Sequence, residues 1–196
     1  MPESKFKNGV KKFMALDTSA VIIAMVALVV LVSILAPIIT GGTFLTTTNI
    51  MNIFRKQTYI GIIACGMTLV MITGNIDLSV GNMMTLLTVI CALLTKSAGP
   101  VGAIFLTLLL GAAFGAFNGL LVGPLKLNAF ISTLGASSIF YALALIISSG
   151  FTQRAESRLF DMIGSGSLWI FPVPVVIMAV VVAIFWFVLK RTVFGQ

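Results

Sequence analysis

Histidine is absent from this 196-residue chain, and acidic residues number only five. Without an imidazole there is no His-based metal site and no histidine acid–base catalyst. Cysteine is nearly absent too: Cys65 and Cys91 are the only two, and both lie inside apolar runs. Two thiols at that depth are too few for a Cys-only structural zinc site and misplaced for a disulfide framework, so they are expected to pack as small apolar side chains. No G-x-x-x-x-G-K-[ST] run is present, which excludes a P-loop for ATP, and neither G-x-S-x-G nor H-E-x-x-H occurs. The expectation is a protein that is not an enzyme and needs no cofactor. If it uses ATP energy, another subunit hydrolyses the ATP. Charge as a whole is sparse, at 9% of residues, against about 25% in a soluble domain.

What replaces charge is apolar surface, 59% of the chain. The net charge of +7 is not a nucleic-acid signature, because the basic residues gather at the ends of apolar runs, as the positive-inside pattern requires. The fold expected is all-α, a polytopic transmembrane helical bundle in membrane lipid with no sheet. Unpaired backbone is prohibitive in lipid, and the runs are too long and too uniformly apolar for barrel strands. Six spans are read at about 21–39, 58–73, 77–95, 101–122, 129–149 and 169–189 within a membrane domain of residues 18–191. The basic tail 1–17, with Lys5, Lys7, Lys11 and Lys12, precedes a first run too long for a signal peptide, which places the N-terminus in the cytoplasm. Thr43–Gln57 is expected at the outer interface, and Trp169 at an aromatic belt.

Asp77 is the only charged residue between Gln57 and Thr95. A carboxylate at membrane depth costs about 2.5–3.5 kcal/mol on insertion scales, so it faces protein, a water-filled cavity or a substrate path. Gly74 and Asn75 break the preceding helix, and Asp77 stands where the next is expected to begin, with Ser79 in its first turn. Two readings fit. One is a polar, Gly-flanked helix break of the kind that marks a transporter site; the other is a plain turn between spans, with Asp77 as its N-cap. Capping is the expected main role, and substrate contact by Asn75, Asp77, Ser79 or Asn118 the second. On the fourth span Gly111, Gly115, Gly119 and Gly123 recur every four residues, which predicts a ridge for close helix packing.

Gly66-Met67-Thr68-Leu69-Val70 followed by Ile76-Asp77-Leu78-Ser79-Val80-Gly81 resembles the signature of ribose-type ABC transporter permeases, the membrane subunits of bacterial importers for ribose, xylose, galactose and similar sugars. That family usually has Gly-Gly where this chain has Gly74-Asn75. Phe130-Ile131-Ser132-Thr133-Leu134-Gly135 resembles a second family motif, although Tyr141-Ala142 stands near the place of the family's Arg-Gly pair. Thr192, Phe194 and Gly195 resemble the opening of the cytoplasmic loop on which the ATPase docks, so 192–196 is expected to be the start of a truncated loop. The resemblance covers the N-terminal part of a usual permease. It implies a monosaccharide import function in the bacterial plasma membrane. The partners it implies are an ABC ATPase subunit, an extracytoplasmic sugar-binding protein and a second permease subunit. An ion-coupled transporter using Asp77, and a non-transporting permease fragment, are the alternatives.

Overall fold

The computed structural model describes residues 18–169 and 171–192. The chain divides into two compact units, Met1–Ile53 and Phe54–Gln196. The basic tail, Phe194 and Gly195 lie outside the described residues.

In the first unit, α1 (Ser19–Thr40) is 22 residues long and apolar all round. At about 1.5 Å per residue it is roughly 33 Å long, enough for a hydrocarbon core of about 30 Å. Gly41 ends it in the left-handed conformation at φ 68°, its N–H donating to Pro37 O at 3.2 Å. Only glycine takes that cap without a Cβ penalty. Helix α2 (Thr47–Ile72) begins in the first unit and continues into the second. Thr46 Oγ1 accepts from Asn49 N at 3.2 Å, and Asn49 Nδ2 donates to Phe44 O at 2.9 Å, so the first turn is capped from both sides. The interfacial segment expected up to Gln57 and the span expected from Thr58 are therefore one helix of 26 residues. Arg55, Lys56 and Gln57 are charged or polar but are not helix breakers, and a polar run inside a helix is no boundary.

In the second unit, α3 (Val80–Val122) runs 43 residues with one non-helical residue, Gly99, at φ 70° and ψ 170°. Pro100 follows and cannot donate to the preceding turn. A Cβ on Gly111 would lie 3.2 Å from Leu87 Cδ1, and Asn118 bonds Ser79. Contacts symmetric about Gly99 mean that the two limbs run antiparallel, as a helical hairpin with almost no loop. Helix α4 (Ala129–Ser148) packs on it. Asn128 caps α4, its side chain accepting from Ile131 N at 3.3 Å.

The buried cluster is Leu86, Ala136, Phe140 and Ala144, with Met83, Ile90 and Phe114 against it. Ala136, Phe140 and Ala144 sit one helical turn apart, and Phe140 meets Phe114 at 4.9 Å between ring centroids. In lipid, leaving the solvent for an apolar neighbour gains little, so close packing and interhelical hydrogen bonds hold this core together.

After α4 come a short helix α5 (Arg158–Ser165), strands β1 (Ser167–Leu168) and β2 (Phe171–Pro172), and helix α6 (Val173–Arg191). The strands pair antiparallel, Ser167 with Pro172 and Leu168 with Phe171. An entirely sheet-free chain was expected. Instead a minimal hairpin forms outside the apolar helices, where its backbone can be satisfied without crossing lipid. The last apolar helix begins at Val173 rather than 169, because Pro172 sets its N-terminus. Four helices among the described residues are long and apolar enough to cross a membrane: α1, α3, α4 and α6.

Candidate functional site

The break between α2 and α3 is built residue by residue. Thr73 N and Gly74 N donate back to Val70 O and Met71 O at 3.1 and 2.9 Å, closing the last turn of α2. Gly74, at φ 77°, then turns the chain out of the helix. Asn75 Nδ2 holds Thr73 O and Thr73 Oγ1 at 3.2 and 3.1 Å.

Asp77 does not begin the helix, which corrects the expected cap. The N-cap of α3 is Ser79, and its side chain makes no cap hydrogen bond. Asp77 Oδ1 instead accepts from Ser79 N at 2.8 Å and from Ser79 Oγ at 2.6 Å, a turn of the Asx type two residues ahead of the helix. A long-range bond holds this turn: Leu78 N donates to Thr133 Oγ1 on α4 at 3.1 Å. Thr133 Oγ1 in turn donates to Ala129 O at 2.7 Å.

Asn118 joins this turn from the second limb of α3. Its Nδ2 donates to Ser79 Oγ at 2.7 Å and to Asp77 Oδ2 at 3.3 Å. Ser79 is fully buried and Asn118 is 4% exposed. The Asn118 Oδ1 is buried with no hydrogen-bond partner. Asn82 Nδ2 adds a bond to Ser137 Oγ at 2.9 Å. The turn carrying Asp77 is thus tied to both limbs of α3 and to α4 by hydroxyl, amide and backbone groups.

Beside this network lies a cleft of about 410 Å³. Thr73, Asn75, Asp77, Asn118 and Thr133 supply its polar lining, and Leu69, Val70, Ile76 and Val122 its apolar walls. Small-molecule sites have this composition, an apolar cavity with a few convergent polar groups, and this range of volume. Gly115 and Gly119 also line it, and a Cβ on either would meet nothing within 4 Å. The packing ridge expected at Gly115 and Gly119 is therefore corrected. Their missing side chains leave room for the cleft, whereas a Cβ on Gly111 would meet Leu87 and one on Gly123 would meet Gly119 O. Among the described residues no group of three or more His, Cys, Asp or Glu could hold a metal ion.

Of the expected site residues, Asn75, Asp77 and Asn118 meet at the cleft, and Ser79 bonds two of them from behind. Thr192 stands apart at the C-terminal end of α6, its Oγ1 donating to Val188 O at 2.6 Å. Thr133 and Ser137 were missed as site residues. Their four-residue spacing puts the two hydroxyls on one face of the helix, and that spacing was the available signal.

A helical bundle whose apolar spans break at a polar turn beside a cleft is the build of a membrane transport protein. Residues 49–196 match the family described as branched-chain amino acid transport system / permease component, and the chain belongs to that family. It is a multi-pass protein of the bacterial plasma membrane. The chain is 34% identical over 181 residues to the ribose import permease protein RbsC of Haemophilus influenzae, covering 89% of this chain and 54% of that protein. With RbsC of Bacillus subtilis the identity is 37% over 172 residues, 86% and 52% of the two chains. With the xylose transport system permease protein XylH of Escherichia coli it is 34% over 150 residues, 75% and 38%. The chain spans about half the length of the curated relatives it matches. No solved structure matches it.

Proposed function

We propose that the chain supplies part of the translocation path of an ABC importer for a monosaccharide or similar small sugar. A separate subunit hydrolyses ATP, an extracytoplasmic binding protein delivers the sugar, and a second permease subunit faces this one. Six crossings with a cytoplasmic N-terminus are made by α1, α2, the two limbs of α3, α4 and α6. The carrying observation is the juxtaposition, at one cleft, of Asn75, Asp77, Asn118 and Thr133, in a chain whose relatives are named as ribose and xylose permeases. A neutral polyol needs hydrogen-bond partners at closely spaced hydroxyls and no compensating cation, and the lining provides amide, hydroxyl and carboxylate oxygens. The lone carboxylate is held by Ser79 and Asn118 and needs no ion to be satisfied.

A chimera tests this reading. Residues 49–196 replace the matching segment of the B. subtilis ribose import permease, and labelled ribose uptake is measured in cells that lack the native permease. Uptake retained at normal membrane yield supports the proposal. Normal yield without uptake contradicts it.

A further inference from the structure

The segment between α4 and α6 carries a surface that the transport reading does not use. Trp169, at the tip of the β1–β2 hairpin, is 91% exposed and held at φ 59°, a left-handed conformation unusual for a bulky residue. Leu168 and Phe171 on either side of it are exposed too. Helix α5 is amphipathic: Leu159, Phe160, Met162 and Ile163 share one side, and Arg158 and Asp161 the other. Leu159 and Phe160 are half-buried, whereas Met162 is exposed.

The position of this surface is fixed by α6. Val173 N donates to Gly166 O at 3.0 Å, and both α5 and β2 pack on α6, so the hairpin is pinned to that helix's first turn. Helix α6 has 19 residues, roughly 28 Å at about 1.5 Å per residue, against a hydrocarbon core of about 30 Å. Its last turn carries Lys190 and Arg191. With that basic end at one boundary of the core, the other end, and Trp169 with it, falls at the opposite boundary. The preceding helix α4, 20 residues long and apolar, delivers the chain to the same side.

We infer that α5 and the Trp169 hairpin dock on the bilayer–water interface of the membrane the chain crosses, with Trp169 seated among the lipid headgroups. An indole suits that depth because its ring is apolar and its N–H still finds a polar partner. Arg154 and Arg158 are balanced by Glu156 and Asp161, so apolar contact rather than lipid charge drives the docking, and zwitterionic lipid suffices. The docking would also compensate the unfavourable backbone at Trp169, since it aims the ring away from the protein.

The chain has two tryptophans, Trp169 and Trp186, which makes Trp169 its own probe. Trp186→Phe protein is reconstituted in phosphatidylcholine vesicles, and emission is quenched by lipids brominated near the headgroup or near the acyl terminus, and by aqueous acrylamide. The expected result is loss of most emission to the shallow bromines, less to the deep ones and little to acrylamide. Stronger quenching by the deep bromines overturns the inference, as does quenching by acrylamide alone. Resistance to all three quenchers does so too, since it means a protein surface covers the indole. If Trp186→Phe does not fold, the difference between wild type and Trp169→Phe gives the same reading.

Discussion

Asn118 Nδ2 donates to Ser79 Oγ at 2.7 Å, joining two residues 39 positions apart across the α3 hairpin. Ser79 Oγ passes the interaction on by donating to Asp77 Oδ1. The two partners are not equivalent. Removing the Asn118 side chain leaves Ser79 still donating to Asp77 and also removes a buried carbonyl that has no partner. Removing the Ser79 hydroxyl leaves the buried Asn118 amide only its longer bond to Asp77 Oδ2 at 3.3 Å, and a poorly satisfied buried polar group costs about 1–3 kcal/mol. Ser79→Ala should therefore destabilise more than Asn118→Ala. The coupling in a double-mutant cycle should be on the order of 0.6–1.7 kcal/mol, the range of interhelical hydrogen bonds in membranes. Unfolding equilibria in mixed detergent measure both. Equal single costs with no coupling would remove the network as a structural element.

Gly99→Ala should cost about 1–3 kcal/mol. A Cβ there meets nothing within 4 Å, so the penalty comes wholly from the backbone, held at φ 70° and ψ 170° in a region essentially restricted to glycine. The same unfolding measurement checks it. A neutral Gly99→Ala would mean that the two limbs of α3 join in another way.

At Gly115 the space is open, and Gly115→Ala should change stability by between roughly zero and +1 kcal/mol, from helix propensity alone. Gly115→Leu fills the cleft instead of clashing with a helix. Folded yield should hold while sugar uptake by the chimera falls. Collapse of the yield would restore the packing ridge that the four-residue spacing first pointed to.

Asp77 separates a structural role from ion coupling. Asp77→Asn keeps the oxygen that accepts from Ser79 N and should be mild in yield and uptake. Asp77→Ala loses both bonds to Ser79 and should cost on the order of 1–2 kcal/mol. Normal yield with abolished transport in the Asn variant would favour an ion-coupled carrier.

The sequence made the helices legible wherever lipid imposes long apolar runs, as at α1 and α4, and it made the helix break legible because Asp77 is so out of place there. Local cues could not reveal the partner of the turn ahead of α3, since Leu78 N donates to Thr133, 55 positions away. Arg55 and Lys56 suggested a boundary before Thr58, but α2 runs through them. Gly115 and Gly119 looked like a contact ridge, because spacing reports which residues share a face and not what stands opposite that face. The hairpin at Trp169 escaped notice because strands of two residues have no periodicity to read.

The most direct measurement of the central claim uses proteoliposomes holding the chimeric permease, its ATPase and a ribose-binding protein, with labelled ribose as cargo. Ribose should accumulate only when ATP is hydrolysed, and uptake should cease with a catalytically inactive ATPase while proton and Na⁺ gradients are left intact. Accumulation driven by either gradient without ATP hydrolysis would contradict the assignment to an ABC importer.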